Sequence, residues 1–254
     1  MRKFVGAVYV LAALAAVPAQ ARPLAAIKRD GTLRVGLTGD YAPYSLRLPD
    51  GGIKGADVVM AGELARALGV KVEIVPTTWK TLKDDLLADR YDVAMGGVSV
   101  TPDRASVADF SVPVLTDGKR PIVRCADRGR FVTIKDIDKP EVRVVVNPGG
   151  TNQRFADANF PHASVRVFPD NRAIFKEVAE GRADLMVTDG AEVDYQSRLN
   201  AGVLCPAAVP DTFDKADKAY WMTRDPALKA AVDEWLTRTL KSGAYQKALA
   251  KAAE

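Results

Sequence analysis

The sequence predicts an α/β protein made of two lobes, each with a mainly parallel sheet, joined by two hinge crossings. Three observations predict this class: an internal repeat, the alternation of strands with helices, and a helical segment that follows both copies. Strands that alternate with helices at this spacing form βαβ units, whose strands run parallel. The chain of 254 residues is long enough for two such units.

The first 21 residues are predicted to be a signal peptide. Arg2 and Lys3 precede an unbroken apolar run of about 14 residues, which is shorter than the roughly 20 residues of a membrane-spanning helix. Ala19 and Ala21 supply the small-x-small pattern of a cleavage site. The mature chain is therefore predicted to begin near Arg22, to lie in the periplasm and to contain no membrane span.

The first copy of the repeat contains, in order, strands and helices at 33–37, about 56–68, 72–76, 82–87 and 91–95. The second copy has corresponding strands at 142–146, 165–169 and 183–187, with a helix through 174–178. An aspartate lies 16 residues after the proline in the first copy (Pro76 to Asp92) and 15 residues after it in the second (Pro169 to Asp184).

Two similar copies predict two lobes. We expect residues 22–117 together with 219–254 to form lobe 1, and residues 118–218 to form lobe 2. The segment after residue 219 shows a helical pattern and no strand of its own, so it is predicted to pack back on lobe 1. The chain would then cross between the lobes near 114–123 and near 209–222, as in a clamshell.

Composition excludes several classes of function. The formal charge of +4 falls to +2 without Arg2 and Lys3, which is too small to indicate a nucleic-acid partner. His162 is the single histidine and is expected in a surface turn, so neither a metal site nor a histidine-based triad is predicted. Cys125 and Cys205 are the only cysteines, and in an oxidising compartment such a pair is expected to form a disulfide.

Ligands of open α/β sheets gather beyond the carboxyl ends of the strands. The loops expected there are rich in glycine and hydroxyl residues, which suit an anion; they are 38–41, 77–79, 96–101, 147–152 and 188–192. Thr151 and Asn152 are predicted to cap a helix, and a cap that faces a cleft also binds anions. The sequence therefore predicts an anion site between the lobes.

Three side chains near these loops have two interpretations each. Arg104 either binds a carboxylate or forms a surface salt bridge with Asp103 or Asp109. Trp79 is either a wall against which a ligand stacks or a core residue. Glu192 either shares a helical face with Asp189, which would raise one pKa, or is a solvated glutamate in a first helical turn.

Residues 97–104 and 109–113 closely resemble the signature of the periplasmic solute-binding proteins for polar amino acids. The resemblance spans essentially the whole mature chain and implies a type II periplasmic-binding-protein fold. It also implies that Arg104 binds a ligand carboxylate with help from Thr101 and Thr151.

Within that superfamily the sequence more closely resembles the cyclohexadienyl dehydratases, which are enzymes on the same scaffold. The similar positions are 38–41, 78–79, 117–119, 147–152, 188–189, 192, 196–199 and both cysteines. The resemblance implies a lyase of phenylalanine biosynthesis that removes water and carbon dioxide from prephenate or arogenate, a small anionic substrate, without a cofactor.

The resemblance implies that Glu192 is the acid that protonates the departing hydroxyl. Lys119, beside the hinge, is expected to be a second cation. Asn147, Ser99 or Thr151 is expected to donate hydrogen bonds to the ring carboxylate, because a tight ion pair there would oppose its loss as carbon dioxide. The expected substrate-binding residues are Tyr41, Trp79, Ser99, Thr101, Arg104, Gly150, Thr151, Asn152, Gln153 and Asp189. Gln153 stands where the resemblance implies an acidic residue.

The alternative is a non-catalytic receptor of an amino-acid ABC importer. Such a receptor would share the fold, the export signal and Arg104, and would use Asp189 for the ligand's amino group. It would not need a buried acid at position 192. The sequence leaves open the choice between prephenate and arogenate, and between a monomer and a homo-oligomer.

Overall fold

The structure is a computed structural model that describes residues 22–254. The predicted signal peptide, residues 1–21, lies outside the described residues. The helices are α1 Leu24–Asp30, α2 Ala56–Leu68, α3 Leu82–Leu87, α4 Pro102–Val107, α5 Ile134–Ile137, α6 Thr151–Asn159, α7 Ile174–Ala179, α8 Gly190–Leu199, α9 Pro226–Lys241 and α10 Ala244–Ala252. Within residues 22–254, no helix is long and apolar enough to cross a membrane.

The strands are β1 Thr32–Leu37, β2 Asp40–Tyr41, β3 Ser45–Arg47, β4 Ile53–Lys54, β5 Lys71–Pro76, β6 Val93–Ala94, β7 Asp109–Phe110, β8 Leu115–Asp117, β9 Lys119–Arg124, β10 Arg143–Val146, β11 Ser164–Val167, β12 Leu185–Asp189, β13 Leu204–Pro206, β14 Ala216–Lys218 and β15 Trp221–Met222. Ten of them form two five-stranded sheets, in the orders β5-β1-β6-β15-β7 and β11-β10-β12-β9-β13, while β2-β3-β4 and β8-β14 form two small sheets. Helices cover both sheets, so the molecule has two α/β lobes.

Both sheets are mixed, so the prediction of mainly parallel sheets is only partly correct. In each sheet three neighbouring strands are parallel, namely β5-β1-β6 and β11-β10-β12. The next strand in each sheet, β15 or β9, is antiparallel to both of its neighbours. This strand begins at the end of the sheet that faces the hinge. The parallel strands finish at that same end, so they run in the opposite direction.

The prediction that no strand follows residue 219 is wrong. Trp221 and Met222 form β15, and they pair with β6 on one side and β7 on the other. Both side chains are completely buried. A two-residue strand is too short to show the alternation of exposed and buried positions by which strands are recognised in a sequence.

The repeated aspartates have the same structural role in both lobes. The backbone N–H of Arg34 donates to Asp92 Oδ2 at 2.8 Å, and the N–H of Arg143 donates to Asp184 Oδ2 at 2.9 Å. In each lobe the aspartate precedes the third parallel strand and accepts from the first. The guanidinium groups of Arg34 and Arg143, which belong to those first strands, also donate to the carboxylates of Asp92 and Asp184. The repeat in the sequence is therefore a repeat of strand-joining carboxylates.

Two crossings join the lobes. The hinge strands β8 and β14 pair antiparallel, with Leu115 opposite Lys218 and Asp117 opposite Ala216. The predicted disulfide is present: Cys125, which follows β9, is bonded to Cys205 in β13 with a Cα–Cα distance of 4.8 Å. Closing a loop of that length stabilises a protein by about 4 kcal/mol in the chain-entropy model.

Candidate active site

The cleft between the lobes contains a cavity lined by Tyr41, Trp79, Gly97, Ser99, Asn147, Gly150, Thr151, Asn152, Asn171 and Asp189. Four of these residues belong to the first lobe and six to the second. The remaining space is about 10 Å³, roughly what a single water molecule requires. The two lobes therefore meet closely around this small space.

Asp189 is the centre of charge in this cleft. It ends β12, and its carboxylate accepts from Lys119 Nζ at 2.8 Å, from Lys218 Nζ at 2.5 Å and from the hydroxyl of Tyr41. Burial alone would raise the pKa of Asp189, but the two ammonium groups hold it well below its usual range. Asp189 is therefore a carboxylate at any physiological pH.

Lys119 fixes the orientation of the amide of Asn152. An ammonium group can only donate hydrogen bonds, so Asn152 presents its oxygen to Lys119. Lys119 Nζ also donates to Thr151 Oγ1 at 2.9 Å. The amide nitrogen of Asn152 therefore points the other way, and donates to Asn147 Oδ1 at 2.9 Å and to Thr188 Oγ1 at 3.0 Å.

The same network leaves one donor directed at the cavity. Asn147 uses its oxygen to accept from Asn152. Its amide nitrogen has no acceptor among the side chains and backbone of residues 22–254, and Asn147 lines the cavity. That N–H₂ group can therefore donate to a ligand.

Glu192 lies behind this network, in the first turn of α8. Thr188 Oγ1 accepts from Asn152, so its own hydrogen goes to Glu192 Oε2 at 2.6 Å. The side chain is 1% exposed, and burial raises the pKa of Glu192 well above its usual range, with Asp189 adding to the effect. The interpretation as a solvated first-turn glutamate is therefore wrong.

Arg104 is buried in α4, and its guanidinium donates to the carbonyl of Ser99 at 2.8 Å. The alternative of a surface salt bridge is wrong: Asp103 pairs with Lys83, and within residues 22–254 no carboxylate lies within 4 Å of the guanidinium of Arg104. Burial, followed by repulsion from Arg154, lowers the pKa of Arg104 to about 10. The group remains a cation at neutral pH.

Trp79 lines the cavity. Its Nε1 donates to Asp40 Oδ1 at 3.0 Å, and its ring meets Tyr41 edge to face with centroids 5.4 Å apart. It is half-buried and also packs against the core of the first lobe. Trp79 is therefore both a wall of the cavity and a residue that packs against the core.

Thr151 and Asn152 line the cavity, but the N-cap of α6 is Gly150, so they are its first helical residues and not its caps as predicted. Two other predicted residues, Thr101 and Gln153, do not line the cavity. Thr101 caps α4 by accepting from the N–H of Arg104. Gln153 accepts from the N–H of Gly149 at 2.8 Å, which ties down the loop before α6.

Sequence reasoning missed Lys218 and Asn171, and it placed Gly97 in a ligand loop without naming it as a site residue. Lys218 is fully buried in the hinge strand β14, and it donates to Ser99 Oγ at 2.6 Å as well as to Asp189. The one sequence signal for it is its place directly before the apolar run 219–222. Asn171 donates to the carbonyl of Asp40 at 3.0 Å across the cleft, and it lies in a loop without a distinctive motif.

Comparisons with known proteins agree with this architecture. The chain is 47% identical over 244 residues to cyclohexadienyl dehydratase of Pseudomonas aeruginosa, covering 95% of this chain and 91% of that protein. An ancestral amino acid-binding protein, a precursor of cyclohexadienyl dehydratase, is 35% identical, with a TM-score of 0.82 and coverage of 91% and 99%. An ancestral cyclohexadienyl dehydratase is 47% identical, with a TM-score of 0.56 and coverage of 91% and 95%.

The match to a family model extends over nearly all of the described chain. The model is that of the bacterial extracellular solute-binding proteins, family 3, and it matches residues 33–253. The neighbours in structure have the two-lobed fold of type II periplasmic binding proteins, as predicted. This chain belongs to family 3 of the bacterial extracellular solute-binding proteins.

Proposed function

We propose that the protein is an exported cyclohexadienyl dehydratase that converts prephenate to phenylpyruvate, arogenate to phenylalanine, or both, without a cofactor. The observation that supports this most strongly is Glu192, a carboxyl group that is 1% exposed and has a raised pKa beside the cavity. A receptor that only binds its ligand has no use for a neutral acid there. The 47% identity to the enzyme of Pseudomonas aeruginosa supports the same conclusion.

Glu192 would act as the general acid. Its proton goes to the ring hydroxyl, the C–O bond breaks, and water leaves. The electron pair of the bond between the ring and its carboxylate moves into the ring, and carbon dioxide leaves. The dianionic substrate becomes a monoanionic arene, and Glu192 becomes a carboxylate that recovers a proton from water. Aromatisation supplies the driving force, so positioning is the remaining task of the protein.

The two substrate carboxylates need different environments. The side-chain carboxylate survives the reaction, so the cation Arg104 is its proposed partner. The ring carboxylate must leave as neutral carbon dioxide, and a tight ion pair to it would stabilise the ground state and oppose the reaction. The free amide N–H₂ of Asn147, a neutral donor, is the proposed partner of the ring carboxylate.

We propose that the lobes open and close about the hinge strands β8 and β14. The lobe boundaries would be those predicted, with residues 22–117 and 219–254 on one side and 118–218 on the other. Because the closed cavity has only about 10 Å³ of free space, opening admits the substrate and closure excludes water from the reaction. Location in the periplasm rests on the predicted signal peptide.

The alternative function is that of an amino-acid receptor for an importer. The observation that favours it is structural similarity: the ancestral amino acid-binding protein has the higher TM-score, 0.82 against 0.56 for the ancestral dehydratase. The two functions differ in one measurable property, because a receptor releases its ligand unchanged.

The deciding experiment is an assay of phenylpyruvate formation from prephenate by the purified mature protein. We expect turnover, and we expect Glu192→Gln to lower kcat by at least about a thousandfold because an amide N–H is too weak an acid to transfer its proton. Glu234→Gln is the control, since that side chain is 72% exposed on α9. Absence of turnover in the unmodified protein, while it binds an amino acid, would establish the receptor instead.

A further inference from the structure

Asp189 is already occupied by groups of the protein. Its two carboxylate oxygens accept three hydrogen bonds, from Lys119, Lys218 and Tyr41. A carboxylate offers about four acceptor positions, so most of its capacity is used before a ligand arrives. A receptor for amino acids would need this carboxylate for the ligand's ammonium group. Here a ligand ammonium would have to lie beside two other cations.

The charged groups around Asp189 disfavour an ammonium group. Lys119 and Lys218 already contact its carboxylate. Two further carboxylates nearby are also engaged by the protein: Asp40 accepts from Trp79 Nε1, and Asp117 accepts from the backbone N–H groups of Gly190 and Ala191. Prephenate has a keto group where arogenate has an ammonium, so arogenate alone would place a further cation beside Lys119, in a site from which water is largely excluded and where charge interactions are strong.

Lys218 acts on the cavity through its neighbours. It is fully buried in β14, and its ammonium donates to Ser99 Oγ and Asp189 Oδ2. Ser99 and Asp189 line the cavity, whereas Lys218 lies behind them. Lys218 is therefore a positioning residue that sets the charge and the hydrogen-bonding capacity of Asp189. It is joined by its backbone to the first lobe, since its carbonyl accepts from the N–H of Val114 at 2.7 Å.

We propose that Lys218 makes this site selective for the keto dicarboxylate prephenate over the amino dicarboxylate arogenate. The inference rests on the proposed function and narrows its substrate. Lys218 neutralises Asp189, a carboxylate that lines the cavity and could otherwise receive an ammonium group. Lys119 alone would leave one carboxylate oxygen of Asp189 free of any ammonium partner.

The first test compares kcat/KM for prephenate and for arogenate. The unmodified protein should prefer prephenate by at least about tenfold, a difference of about 1.4 kcal/mol. Lys218→Met should lower that preference at least about tenfold, because Asp189 then keeps Lys119 as its one ammonium partner and its negative charge is less compensated when the ammonium of arogenate approaches. The control is Lys215→Met, which removes a 65% exposed lysine three residues earlier in the chain that pairs with Asp211; it should leave the preference unchanged.

The second test needs no variant and no turnover. Phenylpyruvate and L-phenylalanine differ by the same exchange of a keto group for an ammonium. Titration calorimetry on the unmodified protein should show that phenylpyruvate binds at least about tenfold more tightly. Tighter binding of phenylalanine would overturn the inference even if Lys218→Met failed to fold.

The two proposals fail in different ways. Turnover of both substrates with equal kcat/KM would overturn the selectivity and leave the dehydratase standing. An unchanged preference in Lys218→Met would overturn the role of Lys218. No turnover of either substrate would remove the dehydratase itself, and the calorimetric comparison would then decide alone whether the cleft discriminates against an ammonium group.

Discussion

Thr188 connects the charged half of the site to its acid. It accepts from Asn152, whose orientation is fixed by Lys119, and it gives its only hydrogen to Glu192. A hydrogen bond to a carboxyl oxygen favours the ionised form, so Thr188 lowers the pKa of Glu192 against the opposing effect of burial. The position of the acid and the pH range in which it holds its proton therefore depend on one hydroxyl.

Thr188→Val should move the pH dependence of the reaction. The acid is active while protonated, so kcat/KM falls as pH rises through the pKa of Glu192. Removing the hydroxyl raises that pKa further, and the alkaline limb should shift to higher pH. We expect kcat to fall about tenfold as well, because the carboxyl loses its orienting bond. A pH–rate profile on prephenate measures both effects.

The matched control is Thr188→Ser, which keeps the hydroxyl and should keep the profile. An alkaline limb that shifts to lower pH in Thr188→Val would contradict the assignment, since it would mean that the hydroxyl favours the protonated acid. An unshifted limb with a lower rate would mean that the titrating acid is another group.

The sequence identifies a site residue when a residue type that suits the chemistry also lies in a recognisable motif. Glu192, Arg104 and Asp189 belong to motifs, and the structure places all three as buried groups in or beside the cleft. Lys218 could not be predicted, because one lysine before an apolar run is ordinary. Its role comes from strand β14 crossing behind Ser99, and a pairing between positions 99 and 218 leaves no local trace in the sequence.

The parallel strands are joined by the repeated aspartates, but the two aspartates differ in burial. The side chain of Asp92 is fully buried and bonds to Arg22 and Arg34, which are 17% and 19% exposed. The side chain of Asp184 is 11% exposed, and its partner Arg143 is 49% exposed. Loss of a partner costs more where the remaining charges cannot be solvated.

Asp92→Asn should therefore destabilise the protein more than Asp184→Asn. We expect losses in the free energy of unfolding of about 3 kcal/mol for the first and about 1 kcal/mol for the second. Urea denaturation followed by circular dichroism measures both. Asp194→Asn is the control, since that carboxylate is 51% exposed and pairs with Arg120 at 3.3 Å. Equal losses at positions 92 and 184 would contradict the argument from burial.

Elements were predictable where their periodicity is long. The 13 residues of α2 have the predicted bounds. The repeat also predicted the order of strands and helices in both lobes. The direction of β9 and β15 was not predictable, because it follows from the side on which the chain enters each sheet. Entry from the hinge is a property of the path between lobes and not of either strand's sequence.

Closure of the whole molecule depends on a glycine at the contact between the lobes. Gly149 has φ of +78° and lies so near the first lobe that a Cβ there would be 2.6 Å from Lys80 Cα. A backbone atom cannot move aside as the end of a side chain can. Gly202 has φ of +80° with nothing within 4 Å of a Cβ, so it shares the backbone conformation without the contact.

Gly149→Ala should therefore hold the lobes apart, whereas Gly202→Ala should not. An alanine at positive φ should lower the free energy of unfolding by about 1 kcal/mol in both variants. A difference in activity between them therefore does not come from this loss of stability. We expect Gly149→Ala alone to lower kcat/KM for prephenate by at least about tenfold, because an open cleft neither excludes water nor brings Trp79 against Gly150.

Small-angle scattering with phenylpyruvate gives the conformational measurement: the radius of gyration should shrink in Gly202→Ala and not in Gly149→Ala. Equal contraction of the two variants would mean that the loop before α6 yields to the added methyl group, and that closure is limited by the hinge strands instead.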